Sequence, residues 1–338
     1  MDEKYNSSCL LNVADALGEH SGKDVSDALQ KIIDLNPNRT LFFPDGEYLL
    51  SKPVATPADP LKSVSLVLSD FAVLRAADDF CGEEAMVRLG GKCAANNIRL
   101  PGSNYALRGG IVDGSGRAKA VSIDGGRETF ISDVSVKNAL VGIHVKHGAN
   151  SGSSDADINH VNIVGNGAFD SVGVLIEGYD NTFTNMRIAN VRTGVKILSQ
   201  GNSLRNIHPL FTGDFAFFPD SCGFYDTGGN NFYSFCYSDQ FSTGFFTGKN
   251  ALPGKYTDCF CLWYTSQSAP HIAFNAEKNF DALVSGFTVA FRPDAKDNYI
   301  LKTGSDDGKG AFCNLIASFG NCHDDEYKKY LAGKSIPF

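Results

Sequence analysis

The sequence predicts an all-β protein folded as a right-handed parallel β-helix with an N-terminal helical cap. Three observations support this prediction: an internal repeat of short apolar strands, a repeat length too short for other repeat architectures, and a helical segment suited to cover one end. The 338 residues are 43% hydrophobic and 20% charged, which is enough for a large core. We expect the N-terminal cap and first strands over 1–100, the coils over 101–320 and a C-terminal cap over 321–338.

The repeat is a glycine or alanine followed by alternating apolar residues. It occurs as AVSI, GIHV, GVLI, GVKI, GFYD and GFFT, starting at positions 120, 142, 173, 194, 223 and 244. The start-to-start spacings are 22, 31, 21, 29 and 21 residues. A second strand series accompanies it as ISDVSVKN, INHVNIVGN, FTNMRIAN, LRNIHPLF, FYSFCYSD, CFCLWYTS and FCNLIASF. A period of about 21 residues is half that of a propeller blade and leaves no room for a helix, but fits one β-helical coil.

Alternation within the second series assigns side chains to the two sides of each strand. The positions predicted to face inward are Val134, Val161, Met186, Ile207, Phe235 and Leu262. The positions predicted to face outward are Ser135, Asn162, Arg187, His208, Cys236 and Trp263. Polar strand ends predict an inward ladder of stacked amides formed by Asn138, Asn166 and Asn190, with Asp239 at the same position in a later coil.

The segment DVSDALQKIIDLNPNRTLFFPDGEYLL (24–50) supplies the N-terminal cap. Its pattern predicts a helix from about Asp24 to Leu35, with Leu29, Ile32 and Ile33 on one face. Asn36-Pro37 ends this helix, and a strand over 41–43 and a turn at 44–46 follow. A helix of this kind can cover the open end of the first coil.

This segment resembles the N-terminal element of the pectate lyase superfamily, a group of β-helical proteins with an A-I-Q-x-A-I helix and a strand ending F-P-x-G-x-Y. The matching positions are Asn12-Val13, Asp24, Ala28, Gln30, Ile33 and the run 43–49, and GGIVDGSGRAKAVSI (109–123) resembles an early coil. The resemblance implies the β-helical fold for most of the chain. The N-x-D, D-D, G-H-G and R-x-K motifs of polygalacturonase-like relatives do not occur as a set, and no calcium-dependent pectate lyase signature is recognisable. Galacturonan cleavage is therefore disfavoured, and the fold alone assigns no reaction.

Composition limits the partners. A net charge of −8 and a pI near 5.4 disfavour nucleic acid, and no apolar run reaches the ~18–20 residues of a membrane span. The N-terminus does not read as a secretory signal, and nine cysteines without a C-x-x-C pair suggest free thiols. We therefore expect a cytoplasmic protein, or a secreted one if a signal peptide has been removed. The cysteine and histidine spacings predict no metal site and no cofactor, and the adjacent pairs 306–307 and 324–325 would diverge on a strand.

The stretch NIHPLFTGDFAFFPDSCGFY (206–225) interrupts the repeat and is the candidate site. Asp214 and Asp220 lie in this stretch, and with Asp239 they are the predicted catalytic carboxylates. Glycoside cleavage uses such carboxyl groups, one protonated and one ionised. The predicted substrate-binding residues are Arg187, His208, Trp263, Tyr264 and Asp226, because aromatic rings can stack on the apolar faces of sugars and polar groups can bind their hydroxyls.

The sequence thus predicts a carbohydrate-active enzyme, a hydrolase or a lyase-like transferase, acting on an oligo- or polysaccharide. The alternative is a non-catalytic glycan-binding or tail-spike-like structural protein, in which the loop phenylalanines and Trp263 form a contact of a homo-oligomer such as a trimer. The polar candidates also have structural interpretations. Asp214 and Asp220 could begin turns, Asp239 could belong to the turn ladder, and Arg187 and His208 could be solvated surface residues.

Overall fold

The chain winds into a parallel β-helix with three faces in the computed structural model, which describes residues 10–92, 105–147, 153–264, 270–292, 297–333 and 336–337. The strands of these residues form a 23-stranded sheet, a ten-stranded sheet and a pair of Gly126–Arg127 with Ser153–Ser154. All pairings are parallel, because each strand lies beside the equivalent strand of the next coil. Parallel crossovers are right-handed in nearly all proteins. The predicted right-handed parallel β-helix is confirmed.

The ten-stranded sheet forms one face, which we call the ten-stranded face. All six tetrapeptide repeats lie in it, and their alternation buries one side of each strand in the core. Its strands are Val54–Pro57, Val87–Lys92, Val121–Ile123, Val141–Val145, Val172–Ile176, Thr193–Ile197, Cys222–Asp226, Thr243–Thr247, His271–Asn279 and Asn298–Ser305.

The 23-stranded sheet bends at a corner and supplies the other two faces. The first flank consists of Leu10–Asn12, Arg39–Phe43, Val64–Leu68, Ala106–Arg108, Phe130–Ser132, Asp157–Asn159, Phe232–Ser234, Lys255–Thr257, Leu283–Ser285, Ala311–Cys313 and Leu331–Ala332. The second flank consists of Gly46–Leu50, Ala72–Ala76, Ile111–Asp113, Ser135–Ala139, Asn162–Gly165, Tyr237–Asp239, Phe260–Trp263, Thr288–Phe291, Ile316–Ala317 and Ile336–Pro337. Two longer strands, Thr182–Ala189 and Ser203–Leu210, run through both flanks.

A single residue in the left-handed conformation makes the corner between the flanks in eight successive described coils. This corner column consists of Asp133, His160, Asn185, Asn206, Phe235, Asp258, Gly286 and Asn314, with φ between 51° and 66°. Asn, Asp and Gly are the residues that adopt this conformation most easily, which explains why polar residues recur between apolar strands. The residue after each corner points into the core: Val134, Val161, Met186, Ile207, Cys236, Cys259, Phe287 and Leu315.

The inward column therefore departs from its prediction after Ile207. Phe235 is 54% exposed and Leu262 is partly exposed, so their inward placement is wrong, and Cys236, predicted outward, is fully buried. Phe235 occupies the corner position where the two preceding coils have Asn, so an alignment guided by apolar residues places it one position out of register. A slip of one residue exchanges the two sides of a strand.

The glycines of the tetrapeptides form a column that is required by close contact between coils. A Cβ atom on Gly194 would lie 2.5 Å from the carbonyl oxygen of Gly223 and 2.5 Å from the Cβ of Pro209. Gly142 and Gly173 would make equally close contacts with the next coil. The repeat seen in the sequence is thus a packing requirement of the ten-stranded face.

The buried amide ladder exists, but at a different turn from the one predicted. Asn138 is exposed and Asn166 and Asn190 are partly exposed, so their inward placement is wrong. The buried ladder consists of Asn181, Asn202 and Asn231, which follow the strands of the ten-stranded face and hydrogen-bond along the helix axis at 3.0 and 3.3 Å. Predicting this ladder requires knowing which turn each asparagine occupies.

The N-terminal cap contains the helices Val13–Leu17 and Ser26–Leu35, the second close to its predicted range. Leu29 and Ile33 are buried in the core, and Ile32 packs against it. Burial alone would raise the pKa of Asp24, but hydrogen bonds from Ser26 and Ser51 outweigh it and lower the pKa to about 2. Short 3-10 helices occur at Pro60–Lys62, Phe215–Asp220, Phe319–Asn321 and Glu326–Tyr330. Within the described ranges, no helix has the length and apolarity needed to cross a membrane.

Candidate functional site

The predicted outward column exists on the second flank, with different members after His208. Ser135, Asn162, Arg187 and His208 occupy equivalent positions in successive coils, as predicted. The next members are Tyr237, Phe260 and Thr288. Tyr237 was not predicted, because the alternation of apolar residues aligns Cys236 with His208. Tyr237 could have been predicted from the corner residues, because the position two residues after each corner faces outward.

Three rings of this column stack on one another. The centroids of His208 and Tyr237 are 4.1 Å apart at an angle of 12°, and those of Tyr237 and Phe260 are 4.6 Å apart at 24°. Each ring therefore covers a face of its neighbour. The exposed Arg187 lies beside His208 in the preceding coil, and its guanidinium donates to the carbonyl of Met186 at 3.1 Å.

Asp239 lies next to this stack, in an otherwise apolar row between Leu210 and Leu262. It belongs to the strand, whereas the turn position predicted for it is taken by Gln240 with φ 62°. Its Oδ2 atom is 3.6 Å from Nε2 of His208. Burial and then the charge of Asp239, which accepts a hydrogen bond from the Tyr237 hydroxyl, raise the pKa of Tyr237, so the phenol stays protonated at neutral pH.

Two polar atoms at this point lack a protein partner. Asp239 Oδ1 and His208 Nε2 are both buried and make no hydrogen bond to any described residue. Their side chains are only 10% and 25% exposed, and the 3.6 Å separation is too long for a hydrogen bond. Buried polar atoms in native proteins are almost always hydrogen-bonded. The two atoms themselves are closed to solvent, so a ligand hydroxyl would reach them after a small rotation of these partly exposed side chains.

The loop 211–221 borders this patch at the edge toward the ten-stranded face. Phe211 and Phe218 are buried, with centroids 5.7 Å apart, and Phe211 also contacts Phe241 at 5.6 Å. The backbone N–H of Phe211 donates to the carbonyl of Asp239 at 2.9 Å, which fixes the start of the loop beside the carboxylate. The phenylalanines therefore anchor the loop to the core.

The two loop aspartates, Asp214 and Asp220, are both exposed, and Asp214 also caps a short helix. Asp214 caps the 3-10 helix Phe215–Asp220 by accepting from the N–H of Ala216 at 2.9 Å. Asp220 lies at the end of the same short helix. Both side chains are available to solvent, and neither makes an ion pair with a described residue.

Two predicted binding residues lie in the core. Trp263 is fully buried, stacks on Phe291 at 5.0 Å and donates its indole N–H to the carbonyl of Phe241 at 2.6 Å. Its predicted outward placement is wrong for the same one-residue reason as that of Cys236. Tyr264, by contrast, is 54% exposed.

Asp226 points inward and is 1% exposed, so it cannot contact a surface ligand. Its carboxylate accepts hydrogen bonds from the N–H groups of Gly228 and Gly229, from Asn231 and from the Tyr233 hydroxyl at 2.7 to 3.0 Å. Burial raises its pKa against the effect of these four donors. The residue therefore terminates the buried amide ladder, which is a structural role.

A second polar cluster, absent from the sequence predictions, lies on the outer side of the ten-stranded face. His144 Nε2 is 2.8 Å from Glu177 Oε2, and Lys146 contacts Glu84 and lies 3.3 Å from Asp124. A cavity of about 190 Å³ adjoins it, lined by Glu83, Glu84, Ala85, Lys119, His144 and Lys146. Burial lowers the pKa of His144 despite the neighbouring carboxylate. The charged groups here largely satisfy each other, unlike the patch at Asp239.

Neither cluster is arranged as a metal centre. Across the described ranges, no three His, Cys, Asp or Glu side chains gather closely enough to hold a metal ion. The patch on the second flank instead combines a carboxylate, an imidazole, a phenol and a guanidinium, all of which can bind hydroxyl groups. The carboxylate and the imidazole are also groups that can act as a general acid or base.

No family model matches the chain, and no curated protein matches it. Several solved structures are similar to it. A double mutant of the tailspike protein of E. coli bacteriophage HK620 is 11% identical with a TM-score of 0.69, covering 96% of this chain and 63% of that one. Another mutant of the same tailspike, solved in complex with a pentasaccharide, is 11% identical with a TM-score of 0.70, covering 97% and 64%.

The pre-mature gene product 12 of bacteriophage phi29 is 12% identical with a TM-score of 0.59, covering 90% of this chain and 49% of that one. The chain thus spans just under two thirds of the tailspike structures it matches. At such low identity the similarity establishes a shared β-helical architecture, and the function has to be argued from the residues of this chain.

Proposed function

We propose that this protein binds an oligo- or polysaccharide on the outer side of its second flank and cleaves or rearranges a glycosidic bond there. The single observation that carries the proposal is the pair of buried, unpartnered polar atoms, Asp239 Oδ1 and His208 Nε2, on an outward surface. Hydroxyl groups can donate to a carboxylate and either donate to or accept from an imidazole, so a saccharide suits both atoms. The tailspike structures of the same architecture include complexes with a pentasaccharide and a hexasaccharide.

The chemical roles follow from burial. Asp239 is the carboxyl group shielded from solvent, and the imidazole of His208 lies 3.6 Å from it. A second carboxylate would come from the exposed Asp214 or Asp220, on the loop that starts beside Asp239. Such a pair of carboxyl groups in different environments is what glycosidic bond cleavage requires. Arg187, which lies beside His208 in the outward column, would orient the substrate.

Kinship with the pectate lyase superfamily is part of this proposal, supported by the cap motif and the fold. The choice between hydrolase and lyase belongs to the proposal as well, as does a trimeric assembly. The cytoplasmic location stays a prediction from the cysteines.

The test is a binding and cleavage screen of a broad panel of oligosaccharides on the purified protein, followed by Asp239→Asn. We expect the variant to lose turnover by about 100-fold or more, because a positioned acid or base contributes at least that much. Asp157→Asn is the matched control, since Asp157 is an exposed carboxylate on the first flank. Wild-type binding and turnover in Asp239→Asn would refute the proposed site.

The second candidate function is a non-catalytic structural or glycan-binding protein. The observation that favours it is a set of exposed apolar side chains on and beside the first flank: Phe232, Phe235, Leu252 and Leu283, each 42% to 54% exposed. This candidate predicts saccharide binding without turnover, or a stable oligomer without saccharide binding. The same screen, combined with sedimentation analysis, distinguishes the two functions.

A further inference from the structure

Phe235 is an exception in the corner column. The other seven described corners are made by Asp, Asn, His or Gly, residues that tolerate the left-handed conformation. Phe235 has φ 53°, a conformation that a bulky aromatic residue rarely adopts. Strained residues of this kind are concentrated at functional sites, where the gain in function offsets the loss in stability.

The ring of Phe235 is open to solvent. Its side chain is 54% exposed, and the guanidinium of Arg205 lies 5.9 Å from the ring centroid. Tyr237 has both faces covered, by His208 and by Phe260. Phe235 is only two residues from Tyr237, and two residues span at most about 7 Å. An open ring face therefore lies at the border of the patch that contains Asp239.

The surroundings of Phe235 suit a polar ligand with an apolar face. Arg205 and Ser234 are paired on neighbouring strands next to the corner, and Lys255 lies 5.4 Å from the ring of Phe232. Hydroxyl and cationic donors thus lie beside an aromatic ring, and together they can bind the hydroxyl groups and the apolar face of a sugar. Arg205 makes no ion pair with a described residue, so its donors remain available.

We propose that Phe235 is a stacking platform for one sugar ring of the bound saccharide, with Arg205 as the hydrogen-bond donor to the hydroxyl groups of that sugar. The inference rests on the proposed function and extends it, because it places a binding subsite at the corner beside the second flank. The saccharide then reaches from the Asp239 patch across the corner to the first flank.

The experiment uses Phe235→Asn, which installs the residue found at the corners Asn185, Asn206 and Asn314. We expect the variant to unfold at the same temperature as the wild type or a higher one, because the backbone strain is relieved. Its affinity for the saccharide identified in the screen should fall about tenfold, since the stacking contact is lost. Phe235→Gly matches the corner at Gly286 and is the second variant, so the test does not depend on one substitution folding well.

Two controls sharpen the result. Phe235→Tyr keeps the ring and should bind like the wild type. Phe71→Asn removes a 73% exposed phenyl ring from a distant turn and should also bind like the wild type. Wild-type affinity in both Phe235→Asn and Phe235→Gly would overturn the platform while leaving the proposed function intact.

Two other outcomes would also overturn the inference. Dissociation of an oligomer in Phe235→Asn, with saccharide affinity unchanged, would identify the ring as a subunit contact. Failure of the wild type to bind any saccharide would refute the proposed function together with the platform.

Discussion

Trp263 is held in the core by two contacts that a surface position could not supply. Its ring stacks on Phe291, and its N–H donates to the buried carbonyl of Phe241. The strand could be predicted from the sequence, but the predicted outward placement of this residue is wrong. The sequence CLWYTS (261–266) does not show which side of the strand faces the core, because cysteine, leucine and tryptophan are all acceptable in a core.

We expect Trp263→Phe to lower the free energy of unfolding by about 1–3 kcal/mol. The substitution leaves the carbonyl of Phe241 without its donor and leaves a smaller ring in a packed site. Chemical denaturation measures the loss. Tyr264→Phe is the control and should stay within about 0.5 kcal/mol of the wild type, because Tyr264 is exposed. Equal stability of both variants would contradict the core placement.

Asp239 and His208 show how far residue-level prediction could go. Their types and their proximity could be predicted from the period of the repeat, because positions one coil apart become neighbours. The burial of Asp239 could not be predicted, since it depends on a row of apolar residues contributed by adjacent coils, including Leu210 and Leu262.

At the scale of the elements, the ten-stranded face was the most predictable part of the molecule. Its tetrapeptides recur because a glycine must fit against the backbone of the next coil, as Gly194 does against Gly223. The corners between the flanks were less predictable. Each corner can be recognised in the sequence only by a single residue that tolerates the left-handed conformation, such as Asn or Asp, and Phe235 is not of this type.

We expect Gly194→Ala to destabilise the protein by about 1–3 kcal/mol, because the added methyl group would meet a carbonyl oxygen at 2.5 Å and force the coils apart. Gly213→Ala is the matched control. Its new Cβ would come no closer than 3.4 Å to another atom, and its backbone needs no left-handed conformation. Thermal unfolding of the two variants checks the prediction, and a Gly194→Ala protein as stable as the control would contradict the packing explanation.

The loop 211–221 could be predicted only in part. An insertion with four phenylalanines and two aspartates could be recognised in the sequence as an interruption of the repeat. Phe211 and Phe218 belong to the main hydrophobic core, so these rings anchor the loop to the coils. Which surface the loop borders could be determined only from the coil register that places Leu210 beside Asp239.

For the whole molecule, the β-helix was predictable because a short period leaves few ways to bury an apolar strand face. The same fold supports many functions, so the location of the site depends on individual polar side chains. Two surfaces compete for that role: the patch at Asp239 on the second flank, and the cavity beside His144 and Glu177 on the ten-stranded face. The first has unpartnered buried atoms, whereas the second is an internally paired network of charges.

The location of the saccharide site is tested most directly by a crystal structure of the protein with the saccharide selected by the screen. We expect the sugar on the second flank, with hydroxyl groups within about 3.2 Å of Asp239 Oδ1 and His208 Nε2. A saccharide bound in the cavity beside His144 and Glu177, with the second flank free of sugar, would contradict it.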